Sequence, residues 1–220
     1  MKIISWNIGN FIWIKHLPGR SHYAFQSENV GEVSRLIKKE NADVIFLQEI
    51  MDGKDVDLIT ESFSEFPHFL KIKTGDRISV SLFLSKYEIR EIHHTNSNDY
   101  IINSLSFFPV HLNAFSPRKR FEQANKLILD LPKEKGIILG DTNFWILNKF
   151  FFSSRDKTSY SKIVADHTDI LKKLGATCRF FLSLDKIFIT KDLDYKNTKI
   201  IKHKIGHMDH YMISSEVNVL

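Results

Sequence analysis

The stretch GIILGDTNFW, residues 136–145, sets the first constraint on the fold. Ile137, Ile138 and Leu139 form an uninterrupted apolar run, which is how a strand buried on both faces reads. The run stops at Gly140, and a carboxylate and a carboxamide follow at Asp141 and Asn143. Gly, Asp and Asn all favour turns, so this ending alone predicts only a turn. But the ending recurs along the chain. Asn7 closes KIISWN, Glu49 follows DVIFLQ, His111 follows SLSFFPV, Asp185 opens an apolar run in LDKIF, and Asp209 with His210 opens the last one in MDHYMI. Polar groups at so many strand ends call for an architecture that gathers those ends at one edge, where scaffolds commonly hold functional groups.

The remaining pattern narrows that architecture. Residues 2–7, 43–48, 78–85, 87–93, 100–108, 136–140, 184–189, 198–203 and 210–217 read as strands, and 8–26 as a long irregular segment. Val30, Val33, Leu36 and Ile37 recur at helical spacing within 28–41, and 53–63 also reads as a helix. Residues 118–131 form an amphipathic helix bracketed by Pro117 and Pro132, and 145–175 reads as mostly helical. Strand–helix–strand at the start and strand–strand in the middle predict an α/β or α+β sandwich whose helices cover mainly antiparallel sheets. No repeat and no low-complexity linker divides residues 1–220, which predicts one domain.

Composition limits the function classes. A net charge of +5 suits an anionic partner such as nucleic acid, although the lysines are scattered rather than massed. No apolar stretch is long enough to cross a bilayer, and the N-terminus reads as a strand rather than a signal peptide. Cys178 is the sole cysteine, so no internal disulfide can form. The expectation is a cytoplasmic protein with no membrane association and no obligate protein partner.

The residue types at the strand ends fit one chemistry. Carboxylates such as Glu49 and Asp209 suit a hard cation like Mg²⁺. The amides Asn7 and Asn143 can orient a phosphate or a water. Asp185 can pair with His210 and fix its tautomer, and His111 supplies a further donor. No CxxC or HExxH is present, so a thiolate or zincin site is unsupported. His207 with Asp209 and His210 gives a fragment of a zinc-hydrolase pattern, but the upstream HxH half is missing. Asp166-His167-Thr168-Asp169 reads as a helix start, where acids are favoured by the dipole. Phe144, Trp145 and the run Phe150-Phe151-Phe152 read as core rather than as a base-stacking platform, and Trp6 reads as core too. Arg118, Lys119 and Arg120 open a helix and either meet phosphates or form a solvated face.

The segments SWNIG, LQEI, VHL followed by RFEQ, GDTN, LDKIF and MDH stand in the order seen in the endonuclease/exonuclease/phosphatase superfamily. The chain resembles that superfamily, the DNase I-like fold, from residue 3 to about 213. The resemblance implies a four-layer α/β sandwich of two mainly antiparallel sheets flanked by helices, and metal-dependent phosphoester hydrolysis. It implies Glu49 as principal metal ligand, with Asp209 and Asn7 close to the metal. Asp141 would position or activate the attacking water or assist the leaving group, with Asn143 orienting it. His210 would stand beside the scissile phosphate with Asp185 as its carboxylate partner, and His111 would contact phosphate. Met208 and Pro109 depart from the usual spelling, as does Gly9, where several members carry Asp. The implied activity is a Mg²⁺-dependent phosphodiesterase, with Mn²⁺ able to substitute, acting on nucleic acid, DNA in the first instance, as a nuclease or repair enzyme. The GDTN spelling is also found in 5′-tyrosyl-DNA phosphodiesterases. A phosphatase for lipid or inositol phosphates, or a non-catalytic binding protein on the same fold, are the alternatives.

Overall fold

The computed structural model describes residues 1–9, 29–73, 79–147, 150–206 and 208–220. The first half comprises β1 (Lys2–Asn7), α1 (Val30–Glu40), β2 (Val44–Met51), α2 (Lys54–Ser62), β3 (His68–Lys73), β4 (Ser79–Ser85), β5 (Ile89–His93) and β6 (Asn98–Ile102). Then come β7 (Leu105–His111), α3 (Pro117–Ile128), β8 (Gly136–Asp141), β9 (Ile146–Leu147), β10 (Phe150–Phe151) and α4 (Ser154–Asp166). The chain closes with β11 (His167–Asp169), β12 (Asp185–Thr190), β13 (Leu193–Ile201) and β14 (Met212–Val219).

The strands build two six-stranded sheets, ordered β13-β14-β1-β2-β4-β3 and β11-β12-β8-β7-β6-β5, with β9 and β10 as a separate pair. Each large sheet has one parallel pair at its centre, β1 with β2 and β7 with β8. The flanking pairs are antiparallel. In both sheets a helix carries the chain between the two parallel strands, as a parallel connection requires.

The side chains of the central strands alternate between two cores. Ile3, Val44, Phe46, Ile137, Leu139 and Ile187 point between the sheets. Ile4, Trp6, Ile45 and Leu47 point the other way, against Val33 and Ile37 of α1 and Val56 and Ile59 of α2. Ile138 and Phe188 likewise meet Ala124 of α3 and Ile163 of α4. Helix, sheet, sheet and helix therefore stack as four layers, the sandwich expected from the resemblance. Burial on both faces explains why these strands read as unbroken apolar runs rather than alternating ones.

Several sequence expectations need correction. Residues 100–108 are not one strand. β6 and β7 form a hairpin around Asn103 and Ser104, whose φ values of 48° and 67° fit a tight turn with both central residues at positive φ. β3 was not expected, although HFLKIK alternates half-buried and exposed, as an edge strand should. Among the described residues of 145–175 only Ser154–Asp166 is helical, because Ile146 and Leu147 pair with Phe151 and Phe150 as β9 and β10 and the residues after the helix add β11 to the sheet edge. The Asp166–Asp169 stretch thus lies at the end of α4, not at a helix start. There Asp169 accepts from Tyr160 Oη at 2.8 Å and faces Lys186 Nζ at 3.5 Å. Arg120 neither faces solvent nor waits for phosphate, since it is buried against Asp156 of α4. Phe144 is core, but Phe150 and Phe152 are exposed.

Candidate active site

Register brings the strand-end residues together. Asn7 lies opposite Gln48 on the neighbouring strand, His111 opposite Asp141, and Asp185 opposite Asp141 from the other side. The two sheets meet at Gln48. Its Nε2 donates to the Val110 carbonyl at 2.9 Å, and its Oε1 accepts from the Asp141 N–H at 3.0 Å. A fully buried amide with both ends satisfied thereby ties β2 to β7 and β8. Gly140 permits the approach. Its φ is 127°, and a Cβ there would overlap the Val110 carbonyl.

The next residue, Glu49, sits in a register shift of β2 between Leu47 and Ile50 and has a φ of 62°. A bulge re-aims a side chain, and a non-glycine residue held in the left-handed region stores strain that surrounding structure must maintain. Here Gly9 is part of that surrounding structure, because a Cβ at Gly9 would overlap Glu49 Oε2. The Gly9 N–H also donates to Asn7 Oδ1 at 3.0 Å, which turns Asn7 Nδ2 toward Asp141 Oδ2 at 3.3 Å.

Around Asp141 the contacts converge. Its Oδ1 accepts from the backbone N–H of Asn143 at 2.8 Å. The Asn143 side chain points elsewhere, its Nδ2 donating to the Leu112 carbonyl at 3.1 Å, so the contact with Asp141 is made by the backbone. His111 Nε2 lies 3.3 Å from Glu49 Oε1 and 4.0 Å from Asp141 Oδ2. His210 Nε2 lies 3.9 Å from the same Oδ2, while its Nδ1 meets Asp185 Oδ2 at 2.8 Å. The backbone of His210 is equally fixed, since its carbonyl accepts from Trp6 Nε1 at 3.1 Å and His203 Nε2 at 2.9 Å. Thr177 Oγ1 accepts from the N–H groups of Leu184 and Asp185 at 2.9 and 3.0 Å and so sets the start of β12.

Asp209 is different. Both of its carboxylate oxygens are buried without a partner among the described residues. Burial, together with the charges of Glu49 and Asp185, pushes its carboxyl up to about 6 despite the opposing pull of His210. Asp141 is also raised, first by burial and then by Asp185 and Glu49, against the pull of His210 and His111. For Glu49 burial acts upward too, but the His111 hydrogen bond and the charges of His111 and His210 outweigh it and hold the carboxyl at about 2. His210 goes well above its ordinary value, because Asp185, Asp141 and Asp209 overcome the burial that would lower it.

Asn7, Glu49, His111, Asp141, Asp185 and His210 therefore form one contact network, and Asp209 adjoins it. His207 lies outside the described residues. Asp141, Asp185 and His210 offer ligand atoms within 4.8 Å of one another, close enough to hold a metal ion. Gln48, Gly9, Thr177 and His203 were not anticipated from the sequence. A glutamine inside the apolar run DVIFLQ was the one available signal, since a buried amide needs partners on both ends.

A strand-edge site of this kind on a helix–sheet–sheet–helix sandwich defines a phosphoesterase fold. A sequence profile of the Endonuclease/Exonuclease/phosphatase family matches residues 4–204, and the chain belongs to that family. Solved structures share the fold at low identity. The AP endonuclease from Archaeoglobus fulgidus superposes with a TM-score of 0.72 at 14% identity, covering 100% of both chains. Humanized D. rerio TDP2 gives a TM-score of 0.67 at 18% identity, over 100% of this chain and 99% of that one. An endonuclease/exonuclease/phosphatase from Beutenbergia cavernae gives 0.73 at 12% identity, over 99% of this chain and 71% of that one. No curated protein matches the sequence.

Proposed function

We propose that the chain is a divalent-cation-dependent phosphodiesterase that hydrolyses nucleic acid, DNA in the first instance. The observation that carries this reading is Asp209, whose two oxygens are buried beside Glu49 and Asp185 with no partner in another described residue. Buried carboxylates without donors are costly unless a cation completes them. The donor set, all oxygen and amide, fits Mg²⁺ or Mn²⁺ rather than a thiophilic metal. Glu49, Asp209 and Asn7 would hold the cation. His210 is a poorer ligand than its proximity suggests, because Asp185 occupies its Nδ1 and favours the protonated ring. When bound, the cation supplies neutralisation of phosphate charge and stabilisation of the leaving oxygen.

The chain's own residues supply the rest. Asn143 N–H and Asn7 Nδ2 hold the two oxygens of Asp141 in fixed directions, which suits a carboxylate that aligns water and takes its proton. His210, protonated and oriented by Asp185, donates to phosphate oxygens as charge builds on them. His111 stands between Glu49 and Asp141 as a second donor. Support for a nucleic-acid substrate comes from the net charge of +5 and from two fold neighbours, an AP endonuclease and a D. rerio TDP2 solved with a single strand DNA product.

The test is an activity panel of single- and double-stranded DNA, an abasic-site duplex, a 5′-tyrosyl oligonucleotide, RNA and inositol phosphates. Chelator should abolish hydrolysis, and Mg²⁺ or Mn²⁺ should restore it. Undiminished turnover in chelator would reject the cation, and turnover of inositol phosphates alone would reject the substrate.

A further inference from the structure

Five phenylalanines stand out of the protein on the connections that leave the site's strands. Phe115, Phe150, Phe152, Phe180 and Phe181 are 57, 79, 65, 54 and 76% exposed. Phe115 lies on the loop that leaves β7 just after His111. Phe150 and Phe152 follow Asp141 on the connection from β8 to α4, and Phe180 and Phe181 lie between Cys178, which bridges His210, and Asp185. The described parts of these connections are tied down. Thr142 N–H donates to the Leu184 carbonyl at 3.0 Å, Ser183 N–H to Ile146 at 2.9 Å, Phe152 N–H to Trp145 at 3.1 Å, and Arg179 N–H to Asp209 at 2.7 Å. Five exposed rings on connections that leave one polar site are more than singly scattered surface apolar residues, which need no partner.

Exposed cations stand at the helix starts beside them, one of which, Arg118, is paired with Glu122 at 3.0 Å. α3 and α4 both begin at this end, since Arg120 in the first turn of one is bound to Asp156 in the first turn of the other. Arg118 and Lys119 are exposed at the start of α3, whose first turn has no acid, and Arg155 and Lys157 at the start of α4. Cations at a helix start are opposed by the dipole, which favours acids there. An anionic chain lying along this end would offset that cost.

We propose that these rings are a stacking platform for unpaired bases, so that the substrate presented to the site is a single strand or a frayed end rather than an intact duplex. This rests on the phosphodiesterase reading above. Bases expose their faces only when unpaired, and a phenylalanine has no polar tip with which to read base edges. Aromatic rings interleaved with cations fit a polyanion with flat apolar bases. A lipid surface or a protein groove calls for a contiguous apolar patch instead. Because stacking is sequence-tolerant, the platform selects strandedness and not sequence.

The experiment is fluorescence anisotropy in chelator, where cleavage is blocked, with labelled oligo(dT), the RNA equivalent and a DNA duplex. The full-length protein is compared with Phe150→Ser/Phe152→Ser and Phe180→Ser/Phe181→Ser, each checked for an unchanged melting midpoint. Single strands should bind at least about tenfold tighter than duplex, and each stacked ring removed should weaken single-strand binding about 5- to 150-fold. A Phe181→Trp protein gives a second readout, because its added fluorescence should be quenched by oligo(dT) and not by duplex. Equal affinity for duplex, undiminished binding in both serine pairs, or capture by anionic vesicles in place of oligonucleotides would overturn the platform. Hydrolysis of bis(p-nitrophenyl) phosphate by the unmodified protein, which involves no base, judges the phosphodiesterase reading separately.

Discussion

Arg120 and Asp209 are charged side chains buried to nearly the same depth, at 2 and 3% exposure, yet their surroundings differ completely. Arg120 donates through Nε and Nη2 to both oxygens of Asp156 at 2.9 and 2.7 Å, and through Nη1 to the carbonyls of Asn113 and Ala114 at 2.7 and 3.1 Å. Neither carboxylate oxygen of Asp209 has a hydrogen-bond partner in another described residue, and the group shares its neighbourhood with Glu49 and Asp185. The first arrangement is complete in the protein alone and holds α3 against α4. The second is not completed by the described residues, and a cation is the component we propose for it. Saturation of buried polar groups therefore separates architecture from chemistry here, where burial by itself does not.

The largest expected effect lies at the saturated pair. Arg120→Met leaves Asp156 buried without a partner, which should cost about 3–5 kcal/mol. The double variant Arg120→Met/Asp156→Leu should recover most of that loss. Urea unfolding midpoints measure both, and a single-variant loss below about 1 kcal/mol would show that the pair does not matter to the fold. Activity per folded molecule should be unaffected in the double variant.

At the unsaturated end the larger effect is on turnover. Removing the donor in His210→Ala should lower kcat by about 10²–10³ while the protein stays folded. Asp185→Asn keeps the shape and loses only charge, so its loss should be smaller. The double variant should be little worse than His210→Ala alone, since residues that act as one unit are not additive. Independent multiplication of the two losses would dissolve the pair seen at 2.8 Å.

Asp209 gives a smaller effect, on stability and its pH dependence. Its folded value of about 6 lies above the ordinary 3.8, so the folded state holds this proton more tightly than the unfolded chain. In the cation-free protein the group therefore opposes folding increasingly as pH rises from about 4 to 6, and fully above that. Asp209→Asn should raise cation-free stability at pH 7 by up to about 3 kcal/mol and change little at pH 3. A destabilised Asp209→Asn at pH 7 without cation would mean that the carboxylate has a partner in the protein.

Much of this contrast was legible in the sequence, at one end of it. The buried strands announced themselves as unbroken apolar runs, and Asn7, Glu49, His111, Asp141, Asp185 and Asp209–His210 were recognisable because each interrupts or borders such a run. Three-dimensional partners were not legible. Nothing local in RKRFEQ says that Arg120 turns inward to Asp156 while Arg118 and Lys119 face water, because that depends on where α4 packs. The left-handed Glu49 is likewise invisible in LQEI, since the bulge arises from the pairing of β2 with β4. The region 145–175 reads as mostly helical in sequence for a related reason. Its short strands exist only through contacts with each other and with β12, and propensity alone does not contain those contacts.

Calorimetric titration of the protein with Mg²⁺ at pH 7 decides whether the buried Asp209 carboxylate, together with Glu49, takes up a cation. Saturable binding is expected, with thermal stabilisation that grows with Mg²⁺ and reaches about 2.7 kcal/mol at a hundred times the dissociation constant. Glu49→Gln and Asp209→Asn should each weaken that binding, while Arg120→Met/Asp156→Leu should leave it intact. Absence of both heat and stabilisation in the unmodified protein, or binding indifferent to Glu49 and Asp209, would contradict the account.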